Sequence, residues 1–265
     1  MRIADEVYAS LLEKRVVNSE EMGQYSRKRF GTGYGYFHKQ YVQPFLKAGK
    51  LLRVKRGLYV AVNVFGGPEP DRYLIAGKLR PEYYLGYHTA LELHGCAYSA
   101  FGSCQVAVRR DAYFRPFGFG GVRYVPVVHK DLKTGAVQVE RSGHRLWVSN
   151  PSRTLVDCLR RIDLSGGLEE CLKSLDGLRG VRFRGVEAAL DVYGEDILRR
   201  KTGYVLELMR NNSPYYGGLK DSELDRVASK IGKNPLYMEP GAKSVRSERW
   251  NLYVPQNIEG MMRGV

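Results

Sequence analysis

The sequence predicts an α+β fold in two units, a small basic one followed by a larger mixed one. Three observations carry this expectation. A length of 265 residues suits two modest domains better than one. Helical periodicity over the first fifty residues gives way, at Leu51 to Val60, to two short alternating runs. Residues 63–70 (Asn-Val-Phe-Gly-Gly-Pro-Glu-Pro) then lose both periodicities and read as a linker between residues 1–62 and 71–265.

In the first unit, Ile3, Val7 and Leu11, with Ala4, Tyr8 and Leu12 beside them, predict a helix over 3–16 with one buried stripe. Asn18 is a suitable cap, and Glu20 and Glu21 favour the first turn of a second helix over 20–25. Gly31-Thr32-Gly33 interrupts the chain before a third helix. There Phe37, Tyr41 and Phe45 recur every four residues, and Gly49 supplies the stop. Pro44 withholds a donor from the Gln40 carbonyl, so it either kinks that helix or breaks it. In Leu51–Val60, Leu52 and Val54 and then Leu58 and Val60 are the expected inward positions, joined by the basic turn Lys55-Arg56-Gly57. Helix, glycine stop and cationic hairpin, in that order, predict a winged helix-turn-helix.

The second unit opens with a short helix over 71–79, an extended piece at 83–86 and a helical turn or two over 88–94. Alternating runs over 103–109, 122–128 and 145–148 predict strands, and Gly118-Phe119-Gly120-Gly121 reads as a hairpin turn. Asn150-Pro151 opens a helix through Arg161. Helical patterning then dominates over 168–175, 186–193, 197–209 and 222–231, with late extended pieces at 236–238 and 250–254.

The formal net charge is +14. Residues 1–62 carry twelve Lys/Arg against five Asp/Glu, and Met22 to Pro68 contains nine Lys/Arg and no acid. Such a stretch favours an acidic partner, and double-stranded DNA is the natural one for this arrangement. In helix-turn-helix docking the N-terminal part of the second helix meets base edges. Tyr34, Tyr36, His38, Lys39 and Gln40 are therefore the expected groove readers, with Gln43 further along the same face. Arg27, Lys28 and Arg29 are expected to hold phosphates, and Lys55 and Arg56 to reach a neighbouring backbone or minor groove. Arg179 to Arg184 is a second basic segment, open to three readings: a phosphate contact, a docking surface for an acidic protein, or an exposed loop.

Other chemistries find little support. No apolar run approaches the roughly eighteen residues of a membrane span, and the acids at Asp5 and Glu6 are unlike a signal peptide, so a cytoplasmic protein is expected. Cys96, Cys104, Cys158 and Cys171 form no C-x-x-C pair, and three of them sit among apolar neighbours and read as buried free thiols; no metal or cofactor is expected. Ser149, Ser152, His144 and Asp157 lack a nucleophile elbow, and Asp157 reads instead as an ion-pair partner of Arg153 or Arg161. Glu187, Asp191, Glu195 and Asp196 raise the alternative of a metal-dependent nucleic-acid enzyme, but a solvated helical face accounts for them better.

Several stretches together give a resemblance to a known family. They are Leu51-Leu52-Arg53-Val54-Lys55-Arg56-Gly57-Leu58-Tyr59; Tyr87-His88-Thr89-Ala90-Leu91-Glu92-Leu93-His94-Gly95; and Val148-Ser149-Asn150-Pro151-Ser152-Arg153-Thr154-Leu155-Val156-Asp157. Arg199 to Glu207 and Trp250-Asn251-Leu252-Tyr253-Val254 complete the set. In order and spacing the chain resembles the AbiEi-like antitoxins, described as predicted transcriptional regulators of viral defence. The resemblance implies a winged helix that represses its own operon and a second domain that counteracts a nucleotidyltransferase toxin, without catalysis. A regulator lacking any toxin partner shares the same first 62 residues. The sequence leaves open the operator and whether it is bound by an oligomer or by several monomers.

Overall fold

The structure, a computed structural model, describes residues 3–63 and 70–263; most of the expected linker, 64–69, lies outside them. The fold is α+β, with three separate sheets. Helix α1 (Ile3–Lys14) buries Val7, Tyr8 and Leu11, as its stripe requires. A three-residue strand, β1 (Val16–Asn18), follows and is too short to show alternation in sequence. Helix α2 (Ser19–Phe30) opens with a capping box: the Glu21 N–H donates to Asn18 Oδ1 at 2.9 Å, and the Asn18 N–H donates to Glu21 Oε2 at 3.1 Å. It runs five residues beyond the expected end at Tyr25 because Arg27, Lys28 and Arg29 suit the negative end of its dipole.

The third helix is continuous through Pro44. It starts as α3 (Tyr34–Phe37), widens into a π turn over His38–Val42, and resumes as α4 (Gln43–Lys47). Just before the proline, the Gln43 N–H reaches back five residues to the His38 carbonyl. The wider turn places the missing donor of Pro44 at the start of α4, where no donor is needed, so the helix does not break. Gly49, at φ 67°, ends it. Strands β2 (Leu51–Lys55) and β3 (Leu58–Ala61) form the hairpin, and the sheet order is β1-β3-β2. A register shift between Arg53 and Lys55 corrects the expected facing: Leu51 and Val54 are buried, whereas Leu52 is 41% exposed. Gly57 takes φ 80° at the tip, and its carbonyl accepts the Ser19 N–H at 2.8 Å, tying the tip to the start of α2.

The second unit begins with α5 (Arg72–Gly77), capped by Asp71, followed by β4 (Tyr84–Leu85) and α6 (Tyr87–Leu93). Strands β5 (Ser103–Val108), β6 (Phe117–Phe119), β7 (Val122–Val128), β8 (Ala136–Arg141) and β9 (His144–Ser149) complete a six-stranded mixed sheet. Its order is β6-β7-β5-β4-β9-β8, with β5 and β7 parallel and β6–β7 a hairpin. Gly120 and Gly121 both take positive φ in that hairpin, as a tight two-residue turn demands. Helix α7 (Pro151–Arg160) crosses to a helical layer of α8 (Leu168–Asp176), α9 (Phe183–Tyr193), α10 (Asp196–Asn212) and α11 (Asp221–Ala228). A small sheet of β10 (Leu236–Tyr237), β11 (Ser244–Ser247) and β12 (Leu252–Pro255), then α12 (Ile258–Arg263), closes the described chain. Trp250 is fully buried against Gly203 of α10, where a side chain would overlap its ring.

The two units share apolar surface. Val16, Val54, Leu58 and Val60 join Tyr73, Leu74, Leu85 and Leu146 of the second unit in one hydrophobic cluster. The other face of the small sheet contributes Val17, Leu51 and Tyr59 to the core under α1 and α3. Lys78 and Glu21 add an ion pair across the junction at 2.5 Å. The Cys104, Cys158 and Cys171 thiols are free and buried, as expected, and Cys96 is half-buried. Among the described residues no helix is long and apolar enough to cross a membrane.

Candidate nucleic-acid interface

The basic stretch folds so that one face of the third helix is buried and the opposite face is open. Phe37, Val42 and Phe45 lie in the core with Tyr8 and Met22. The ring of Tyr41 stacks on that of Phe30 at 5.6 Å and fixes the helix against the end of α2. On the other side Tyr36 (44% exposed), Lys39, Gln40 and Gln43 point outward, with His38 half-buried between them. Arg27, Lys28 and Arg29 are exposed on the last turn of α2. Arg29 is partly engaged by Glu6 at 3.2 Å. Arg27 and Lys28 have no carboxylate partner among the described residues.

Two of the expected contact residues are held by the protein itself. The hydroxyl of Tyr34 is 3.2 Å from that of Tyr59, and its ring leans on His38 at 5.6 Å. Burial and the bond to Tyr59 raise its pKa above the ordinary tyrosine range. Tyr34 thus ties the start of the helix to the hairpin. Lys55 turns toward the second unit, its ammonium 5.4 Å from the ring centroids of both Phe114 and Phe117. Burial, helped by nearby Arg80, lowers its pKa below the ordinary lysine range. Arg56 remains exposed at the tip.

Arg53, absent from the expected set, is exposed on β2 and lies 5.9 Å over the ring of Tyr59. Strict alternation had put Leu52 and Val54 inward and left Arg53 unremarked on the other side. Arg53 pairs with Tyr59 across the hairpin, ahead of the register shift, and the Tyr59 hydroxyl meets that of Tyr34. The open cations flanking the helix face are therefore Arg27, Lys28, Lys39 and Arg53, with Arg56 farther off.

A second polar constellation lies in the larger unit. Arg153 (1% exposed) donates from Nε to Asp157 Oδ1 at 2.7 Å, which selects Arg153 over Arg161 as the Asp157 partner. Its Nη1 donates to the Thr134 carbonyl at 3.0 Å, and its Nη2 to the hydroxyls of Tyr193 at 3.0 Å and Tyr84 at 3.2 Å. The Tyr84 hydroxyl donates to Asp157 Oδ2 at 2.9 Å. His129, at the end of β7, lies 2.8 Å from the Tyr87 hydroxyl and 3.1 Å from that of Tyr193. Burial pushes the His129 imidazole down to about 4, so it is neutral near pH 7. Only the Arg153–Asp157 spacing was visible in the sequence. Tyr84, Tyr87, His129 and Tyr193 come from four other places in the chain.

The acids that raised the alternative of a metal-dependent enzyme are ion-paired. Glu187 meets Arg226 at 3.0 Å, Asp191 meets Arg199 at 3.0 Å, Glu195 meets Arg160 at 2.8 Å and Asp196 meets Arg200 at 2.8 Å. In the segment 179–184, Arg179 donates to the Tyr215 hydroxyl at 2.8 Å, while Arg182 and Arg184 are exposed.

No protein-family model matches the sequence, and no curated protein matches it. Among solved structures, the crystal structure of the RV2827C protein from Mycobacterium tuberculosis is similar. The match covers 98% of this chain and 94% of that one, with a TM-score of 0.67 and 16% identity. This is a shared fold.

Proposed function

We propose that this chain is a cytoplasmic, double-stranded DNA-binding transcriptional regulator whose first 62 residues act as a winged helix-turn-helix. The observation that carries the reading is the outward face of the third helix. Tyr36, Lys39, Gln40 and Gln43 stand there above a sealed apolar face, in a stretch without a single acid. Glutamine can pair bidentately with adenine, and lysine can approach guanine or a phosphate. The order of helix, strand, two helices and hairpin, with the sheet order β1-β3-β2, further supports the reading. Arg27 and Lys28 then hold phosphates on one side of the groove, and Arg53 on the other.

The resemblance to AbiEi-like antitoxins extends the proposal to autorepression and to neutralising a nucleotidyltransferase toxin through residues 71–265. Footprinting on the DNA upstream of the protein's own gene tests the first part. A protected site whose occupancy is lost on Lys39→Ala/Gln40→Ala is the expected result; absence of any protection at low salt overturns it. Co-purification with the product of the adjacent gene tests the toxin partnership separately.

A further inference from the structure

We propose that the cleft at the carboxyl ends of β5 and β7 binds a phosphate-bearing small molecule of nucleotide size. The proposal is independent of the DNA-binding reading. The cleft measures about 760 Å³, inside the roughly 300–1,000 Å³ usual for small-molecule sites. Strands β5 and β7 are parallel and in register to their last residues, Val108 and Val128, so both chains leave the sheet at the same edge.

Cations from three elements converge there. Arg109 and Arg110 follow β5, Lys130 follows β7, and Arg160 ends α7. Arg110 and Lys130 are exposed and have no carboxylate partner among the described residues. Arg160 lies 4.4 Å over the Tyr193 ring and shares its charge with Glu195, while Arg109 is 3.7 Å from Asp111. The remaining acid of the cleft, Asp131, is occupied: its carboxylate accepts the Thr134 hydroxyl and the N–H groups of Lys133 and Thr134. Planar guanidinium groups pair with phosphate through two parallel hydrogen bonds, and two rim cations without a carboxylate partner among the described residues are free to meet an anion.

The floor is rigid and polar. Tyr193 and His129 face the cleft and are held from beneath by the Arg153–Asp157 pair and by Tyr84 and Tyr87. Tyr87 takes φ 57°, a left-handed conformation that a bulky residue adopts only where its surroundings dictate it. That strain aims its hydroxyl at His129, and strained residues of this kind gather at binding sites. With His129 neutral, the floor offers a polar, uncharged wall under a cationic rim. This is the division needed for a molecule with one uncharged end and one phosphorylated end.

Calorimetric titration of the full-length protein with ATP, GTP and inorganic pyrophosphate tests the proposal, with Arg110→Ala/Lys130→Ala as the variant and its melting curve as the check on folding. The expected result is nucleotide binding that weakens by about tenfold or more in the variant, with duplex DNA affinity unchanged. Three results would overturn it: no heat from either nucleotide at millimolar concentration, binding of pyrophosphate alone, or a variant that loses duplex DNA while nucleotides never bind.

Discussion

The proposed duplex contact makes a quantitative claim about salt. Each Lys or Arg that neutralises a phosphate adds roughly 0.9 to the slope of log affinity against log salt concentration. Arg27 and Lys28 are both exposed and without ion partners among the described residues, so Arg27→Ala/Lys28→Ala should shallow that slope by roughly 1.8. Between about 50 and 200 mM salt, the wild type should then lose roughly tenfold more affinity than the variant. Arg29→Ala should do less, because Glu6 already engages Arg29. Lys55→Ala is the internal control: its ammonium sits against Phe114 and Phe117, so the slope should not change. Fluorescence anisotropy on a footprinted duplex over a salt series reads all four. An unchanged slope in the double variant, or an equal drop for Lys55→Ala, refutes the assignment of these side chains to phosphates.

Gln40→Ala should relax base preference while leaving the salt slope intact, as read by competition with single-base operator variants. Asp157→Asn strands a fully buried Arg153 guanidinium and should cost about 3–5 kcal/mol, measured by urea unfolding. Gly203→Ala drives a methyl group into the buried Trp250 ring and should cost about 1–3 kcal/mol or more by the same measurement. The pH dependence follows from His129, whose pKa falls from the usual 6.5 to about 4 on folding. The unfolded chain therefore binds the extra proton first, so this stabilisation is complete above about pH 6.5 and is lost as pH falls toward 4. Between pH 7 and 5 the loss attributable to it is about 2 kcal/mol, and His129→Gln should flatten the decline in the urea midpoint.

Regular elements with one buried face were legible in sequence. Phe37 and Phe45 are buried and Tyr41 half-buried, where the four-residue spacing put them, and Asn18 and Asn150 cap the helices they precede. What escaped had a physical cause. Strand β1 has only three residues, and β8 lies at a sheet edge with neither face sealed. Leu52 was placed inward because alternation cannot register the bulge two residues later. The Pro44 question was settled by a π turn, which no local residue pattern announces. In the candidate interface, Lys39 and Gln40 were readable from the helix period, whereas the fates of Tyr34 and Lys55 depended on Tyr59, Phe114 and Phe117. The buried cluster around Arg153 draws on residues from 84 to 193, and only tertiary packing unites them.

The small three-stranded sheet is greasy on both sides, and only one side is covered by residues of the first unit. While the protein is being made, Val16, Val54, Leu58 and Val60 lack the full cover of their cluster until residues from Tyr73 to Val148 of the second unit have followed. Chains interrupted before that point should therefore clump or be degraded rather than accumulate as free amino-terminal fragments, leaving the finished polypeptide as the form that persists.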